Sequence, residues 1–197
     1  PRMIHPRPTA RHHRPYNAAM PDDLLSTGET VLQGVRFDVV RVQLPGRDGK
    51  ARPRDAVVHP GAVAILPMLD RDRVVLIRNT RFAVGQTLWE IPAGTLEPEE
   101  PPEDCAAREL TEETGYQANL ITKLTTFYTS PGFCNETMHA YLAEDLTHVG
   151  QQLEESEQIE VRTLDWPRVV DMIHDGEIKD GKTLATLLFY QSMRGRS

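Results

Sequence analysis

The chain has 197 residues, 39% of them apolar and 26% charged, enough to bury a core and too apolar for wholesale disorder. No apolar run approaches the roughly 20 residues that span a bilayer, so neither a membrane nor an export signal is expected. The net charge is −7, and it is uneven: Arg2, Arg7, Arg11 and Arg14 lie in an acid-free stretch over residues 1–21, which leaves 18 of the 22 basic residues against 29 acids elsewhere. An acidic body of this kind is a poor nucleic-acid clamp, and it needs a focused basic pocket or metal ions to bind a phosphorylated anion. Cys105 and Cys134 are too few for a disulfide framework, which points to a reducing, cytoplasmic setting.

Residues 1–25 read as an irregular basic tail, since Pro1, Pro6, Pro8 and Pro15 break any helix and His12-His13 has no partner spacing. Met20 serves equally well as a start. Residues 26–60 predict a small antiparallel β unit. Val35, Phe37 and Val39 alternate, Val40, Val42 and Leu44 alternate on the shifted register as across a bulge, and Arg54 to Val58 returns after the turn Pro45–Gly49. Phe37 is expected to point inward. From residue 61 to 197 a single larger domain is expected. Gly61–Leu69, Val74–Arg78 and Leu88–Ile91 predict strands, the last leading into Pro92-Ala93-Gly94, and a helix runs from about Pro102 to Thr114, stopped by Gly115. Further strands follow near Leu120–Tyr128, Thr137–Leu146 and Gln158–Leu164. Two helices close the chain, one starting near Pro167 and one carrying Leu184, Leu187 and Leu188 on one face. Strands and helices mixed without a strict βαβ repeat predict an α/β fold, an α/β/α sandwich around a mixed sheet.

The helix at 102–114 carries the chemistry. Glu112 and Glu113 fall about −60° and +40° from Glu109, so the three acids share one face, while Ala106, Leu110 and Ala107 turn toward the core. Like charges on one face repel by a few tenths of a kcal/mol per pair, and they sit at the end of the helix dipole that disfavours them. A solvated surface tolerates that arrangement, whereas a hard divalent cation converts it into binding. The acids are therefore expected to be exposed toward a metal rather than packed.

The segment from Gly94 to Tyr116 resembles the Nudix box, G-x5-E-x7-R-E-U-x-E-E-x-G-U with U a bulky apolar residue. Gly94, Glu100, Arg108, Glu109, Leu110, Glu112, Glu113 and Gly115 match, and only Tyr116 departs from the aliphatic ending. Ser130-Pro131-Gly132 through Glu136 is similar to the SPG-x-x-x-E segment of ADP-ribose pyrophosphatases, with Pro131 sixteen residues past Gly115. Arg78-Asn79-Thr80-Arg81 resembles their R-Q-x-R, and Gly176–Thr183 their C-terminal segment, to which no chemistry is assigned.

The resemblance implies a Nudix-type sandwich and a magnesium-dependent hydrolase, with manganese a possible substitute. Glu109, Glu113 and Glu112 would be metal ligands, and the Ala93 carbonyl a further one. Arg108 and Glu100 would brace the loop. Arg81 would contact phosphate, with Glu136 and Pro131 at the substrate, and Arg54 would be supplied across a homodimer built through the N-terminal strands. The acidic segment Glu154-Glu155-Ser156-Glu157 would carry the base, Glu157 before Glu155, with Glu112 contributing to catalysis and Glu136 a third candidate base. The implied reaction is cleavage of a nucleoside diphosphate sugar, ADP-ribose first, to AMP and ribose 5-phosphate. The alternatives are GDP-mannose, a dinucleotide coenzyme or an oxidised nucleotide as substrate, or a Nudix module that senses nucleotide without cleaving it.

Overall fold

The computed structural model describes residues 24–153 and 158–194. The basic tail and the acidic segment Glu154–Glu157 lie outside the described residues, and with them the readings made of His12-His13, Glu155 and Glu157.

The central strand β4 (Ala62–Pro67) shows why the fold is a sandwich. All six of its residues are buried, as in a strand covered on both faces. Ala62, Ala64 and Leu66 enter one core with Trp166, Val169 and Met172 of α2 (Trp166–His174) and Leu187 of α3 (Gly181–Arg194). Val63 and Ile65 enter the other with Cys105, Ala106 and Leu110 of α1 (Pro102–Thr114). The period-two alternation of a strand thus feeds two helical layers at once. The sheet containing β4 has the order β7 (Ala93–Thr95), β4, β9 (Thr137–His148), β8 (Tyr116–Tyr128). It is mixed: β4 runs parallel to β9, while β7 and β8 join antiparallel.

A second sheet sets β5 (Arg73–Arg81) between β6 (Gln86–Glu90) and β10 (Ile159–Asp165), all antiparallel. A third, antiparallel sheet holds β1 (Glu29–Gln33), β2 (Asp38–Pro45) and β3 (Ala51–Val58). Its Val40 and Val42 are buried beside Gly28, which follows a 3-10 turn at Leu24–Thr27, while β1 is exposed throughout. No helix among the described residues is long and apolar enough to cross a membrane, and both cysteines are free thiols.

Several local expectations change. Val35 and Phe37 belong to the connection after β1 and are exposed, so Phe37 is not an inward strand residue. The bulge exists, but the extra residue is Val31 in β1, opposite Val39 and Val40, and β2 runs unbroken. Ala107 is exposed and Cys105 takes its place in the core, because the buried stripe of α1 is rotated toward the acids. Leu188 is exposed, and Thr183, Thr186 and Leu187 form the buried stripe of α3. Ala93–Thr95, for which no strand is expected from the sequence, is a short strand paired to β4.

Candidate active site

α1 begins with Pro102 at its first turn, where a missing N–H costs nothing. It ends at Gly115, whose φ of +73° and N–H bond to the Thr111 carbonyl make a left-handed cap. A β-carbon at Gly115 would lie 2.7 Å from the Gln151 nitrogen, so the residue must be glycine for a second reason. The chain after β9 closes over this helix end. Gln151 Nε2 donates to the Glu113 carbonyl at 2.7 Å, and the Gln152 N–H to the Glu112 carbonyl at 3.1 Å. The two flanks of the acidic segment are therefore fixed, one on the C-terminus of α1 and the other where Ile159 pairs with Asn79 of β5.

The acids of α1 turn toward β7, not simply to solvent. A β-carbon added to Gly94 would stand 1.9 Å from the Glu109 carboxyl carbon, so only glycine admits that carboxylate against the strand. Glu113 is 3% exposed, and its Oε2 accepts the Ala93 N–H at 2.8 Å. The expectation that these acids are unpacked is thus corrected: Glu113 is a core-edge residue, placed by the rotated stripe that also buries Cys105.

One arginine organises the rest. Arg108 donates side-on to Glu100 at 2.9 and 3.0 Å, and its Nη1 donates to Glu109 at 2.8 Å and to Glu112 at 3.0 Å. Its hydrogen bonds hold the Glu100 carboxyl down at about 2, with help from the Glu97 N–H, and the pairing pushes the guanidinium pKa up. Arg108 and Glu100 therefore brace the loop on the helix, as read from the sequence. Burial, followed by the bond to Glu100, pushes the Cys105 thiol up to about 12, which leaves it a packing residue.

Arg81, at the end of β5, forks onto Glu90 at 2.8 and 2.6 Å, which raises its pKa, and it also feels the charge of Glu113. Arg78 of the same segment stacks over Trp89 at 5.0 Å. The Ser130–Glu136 loop docks on β3, where the Val57 N–H donates to the Phe133 carbonyl at 2.7 Å and the His59 N–H to Asn135 Oδ1 at 2.8 Å. Pro131 is exposed at its tip, and Glu136 accepts from Thr129 at 2.5 Å, 3.8 Å from His59 Nδ1. Arg54 is exposed on β3, donates to the Pro53 carbonyl, and among the described residues has no hydrogen bond or ion pair to α1.

Sequence reasoning missed Glu90 and Lys182. Glu90 has no exposure and holds both Arg81 and Lys182, the latter at 2.5 Å. The available signal was an acid at the end of the apolar strand Leu88–Ile91, followed far downstream by Asp180 and Lys182.

A divalent cation suits the donors near Gly94. They are carboxylates, chemically hard, and the glycine cradle brings Glu109 beside the strand on which Glu113 already rests. Among the described residues no three acid, imidazole or thiol groups converge closely enough to hold a metal as they stand. Arg108 draws Glu109 and Glu112 one way while Ala93 holds Glu113 another.

With the mixed sandwich, the glycine-cradled acids and the arginine brace in place, comparison with known proteins assigns the class. The NUDIX domain profile matches residues 58–187, and the chain belongs to the Nudix family. It is 41% identical over 167 residues to an ADP-ribose pyrophosphatase of Bacillus subtilis (strain 168), covering 83% of this chain and 89% of that one. It is 33% identical over 184 residues to a GDP-mannose pyrophosphatase of Salmonella typhimurium, covering 87% and 93%. A crystal structure of an ADP compounds hydrolase superposes with a TM-score of 0.76 at 25% identity, over 86% of this chain and 92% of that one. The protein is a Nudix pyrophosphohydrolase.

Proposed function

We propose that this enzyme cleaves the pyrophosphate bond of a nucleoside diphosphate sugar, with ADP-ribose as first substrate and AMP and ribose 5-phosphate as products. The observation that carries the reading is the Gly94–Glu109 contact, because it sets a helix carboxylate of the matched motif against the strand where Glu113 meets Ala93. The similarity to ADP-ribose pyrophosphatases over more than four-fifths of the chain supports the substrate. The similarity to GDP-mannose pyrophosphatases supports that compound as a second candidate.

Glu109, Glu113 and Glu112 would hold Mg²⁺, or Mn²⁺ in its place, with the Ala93 carbonyl as a further oxygen. When bound, such an ion neutralises phosphoryl charge and acidifies a water. The chain's own residues do the rest. Arg81 presents a guanidinium to the pyrophosphate. Arg108 keeps the helix acids in register with the loop. Glu157, or Glu155, takes the proton of the attacking water, a role supported by the anchoring of their segment's flanks on α1 and β5. Glu136 and Pro131 shape the substrate side.

A homodimer is part of this reading. The exposed apolar residues Val31, Leu32 and Phe37 of the N-terminal unit would find cover in a second copy, and Arg54 a site to serve. Light scattering should then give twice 22.2 kDa, and a monomer of full activity removes the shared-site reading. The substrate is tested by incubating the protein with Mg²⁺ and a panel of ADP-ribose, GDP-mannose, dinucleotide coenzymes and oxidised nucleotides, with products separated by chromatography. ADP-ribose should show the highest kcat/KM, and preference for a compound outside the nucleoside diphosphate sugars would refute the assignment.

A further inference from the structure

Glu90 closes β6 with a wholly buried side chain, and it is held by two cations, Arg81 on the paired strand β5 and Lys182, 92 residues away. Arg81 forks onto it through Nε at 2.8 Å and Nη2 at 2.6 Å. Lys182 Nζ reaches its Oε2 at 2.5 Å and Asp180 at 3.0 Å. Asp180 in turn starts α3, accepting the Thr183 N–H at 2.9 Å and the Thr183 hydroxyl proton at 2.6 Å. The Thr183 oxygen accepts the Ile91 N–H at 3.0 Å. The first turn of α3 is thus locked to Glu90 and Ile91 at the end of β6, just before Ala93 meets Glu113.

This arrangement has a directional consequence. A side-on fork fixes the plane of a guanidinium and removes most of its rotamer freedom. It uses Nε and Nη2 and leaves Nη1 outside the pair. The four charges of Arg81, Lys182, Glu90 and Asp180 sum to zero, and Arg81, with 38% of its side chain exposed against 12% for Lys182, is the outward positive end. A lone arginine at the end of a strand would sweep a wide volume; this one is held in one orientation.

We propose that Glu90 is a positioning residue for the reaction, and that with Lys182 it orients Arg81 toward the pyrophosphate. The inference rests on the reading of Arg81 as a phosphate contact. It also gives the Gly176–Thr183 segment a function: Lys182 offsets the charge of Glu90, so that the carboxylate can hold Arg81 without cancelling it.

A cluster that merely staples α3 to β6 would lower stability and leave the work of Arg81 untouched. A double-mutant cycle separates the two. In the full-length protein, kcat, KM and melting temperature are measured for wild type, Arg81→Ala, Glu90→Gln and the double variant, with the panel compound that turns over best. Arg81→Ala should lower kcat/KM about 10²- to 10³-fold, and Glu90→Gln about tenfold or more by the cost of a misaligned group. In the Arg81→Ala background Glu90→Gln should change kcat/KM less than about twofold, while its effect on melting temperature persists. Lys182→Arg should retain most activity where Lys182→Met does not. If Glu90→Gln yields no folded protein, Lys182→Met takes its place in the cycle under the same criterion. Full multiplication of the two effects, or an unchanged kcat/KM in Glu90→Gln while Arg81→Ala is impaired, overturns this inference alone. Normal activity in Arg81→Ala, or no turnover of any panel compound by wild type, overturns the reading beneath it as well.

Discussion

Two carboxylate clusters flank the Pro92–Gly94 segment, and their charge balance differs. On α1 Arg108 serves Glu100, Glu109 and Glu112, while Glu113 accepts the Ala93 N–H and lies within the field of Arg81. Around Glu90 two cations serve one buried carboxylate, with Asp180 completing neutrality. A buried charge is retained only where partners offset its desolvation, and the Glu90 cluster meets that condition within the chain itself. The ion pairs of the α1 face set three carboxylates against one guanidinium, the arrangement on which the proposed cation site rests. One cluster is neutral within the chain, and the other is the face we propose for a cation.

That contrast predicts that activity and stability separate on α1. Glu109→Gln and Glu113→Gln should each lower kcat by about 10²- to 10⁴-fold, as loss of a placed catalytic group does. Glu112→Gln should shift unfolding free energy by no more than about 0.5 kcal/mol, because it removes repulsion along with one bond to Arg108. Steady-state kinetics beside denaturant melts measure both, and a variant that unfolds as much as it slows would erase the distinction. Gly94→Ala sharpens it further. The new methyl must displace the Glu109 carboxylate, and a shift of about 1 Å in a catalytic group costs about 10²-fold in rate. A Gly94→Ala enzyme with normal kcat would show that Glu109 does not act from this position.

Glu90→Ala should do the reverse of Glu112→Gln and cost about 3–5 kcal/mol of stability, the range for stripping one partner from a buried ion pair. Chemical denaturation gives the value, and a loss below about 1 kcal/mol would make the cluster an ordinary surface network. The smallest effect concerns Glu100. Its folded pKa lies near 2, below the ordinary 4.5, so its contribution is fully present above pH about 4.5 and fades as pH falls toward 2. Glu100→Gln should therefore flatten the loss of stability between pH 4.5 and 2, and an unchanged acid limb would detach Glu100 from the brace.

The sequence made α1 legible almost to the residue. Pro102 and Gly115 are local signals, and a helix fixes which of Glu109, Glu112 and Glu113 share a face without tertiary knowledge. The rotation of that helix about its axis was not legible. It depends on what β4 and β7 present, so Ala107 turned out and Cys105 and Glu113 turned in. The strand at Ala93–Thr95 was hidden for a related reason, since three residues carry no periodicity and pair only because Ala62–Ala64 lie alongside. Glu90 and Lys182 were invisible as a pair because 92 residues separate them, and an acid ending a strand has no pattern of its own. Arg81 was marked by likeness to its segment, but its side-on holder was not.

The central claim is that the Glu109–Glu113 face is an incomplete cation site, and a Mn²⁺ titration of substrate-free protein followed by electron paramagnetic resonance tests it most directly. Wild type should take up Mn²⁺, Mg²⁺ should displace it, and Glu109→Gln and Glu113→Gln should each weaken uptake about tenfold or more, the scale on which lost ligands and their supports reduce metal affinity. Glu112→Gln should weaken it less. Uptake by both Glu109→Gln and Glu113→Gln equal to that of wild type would contradict the account.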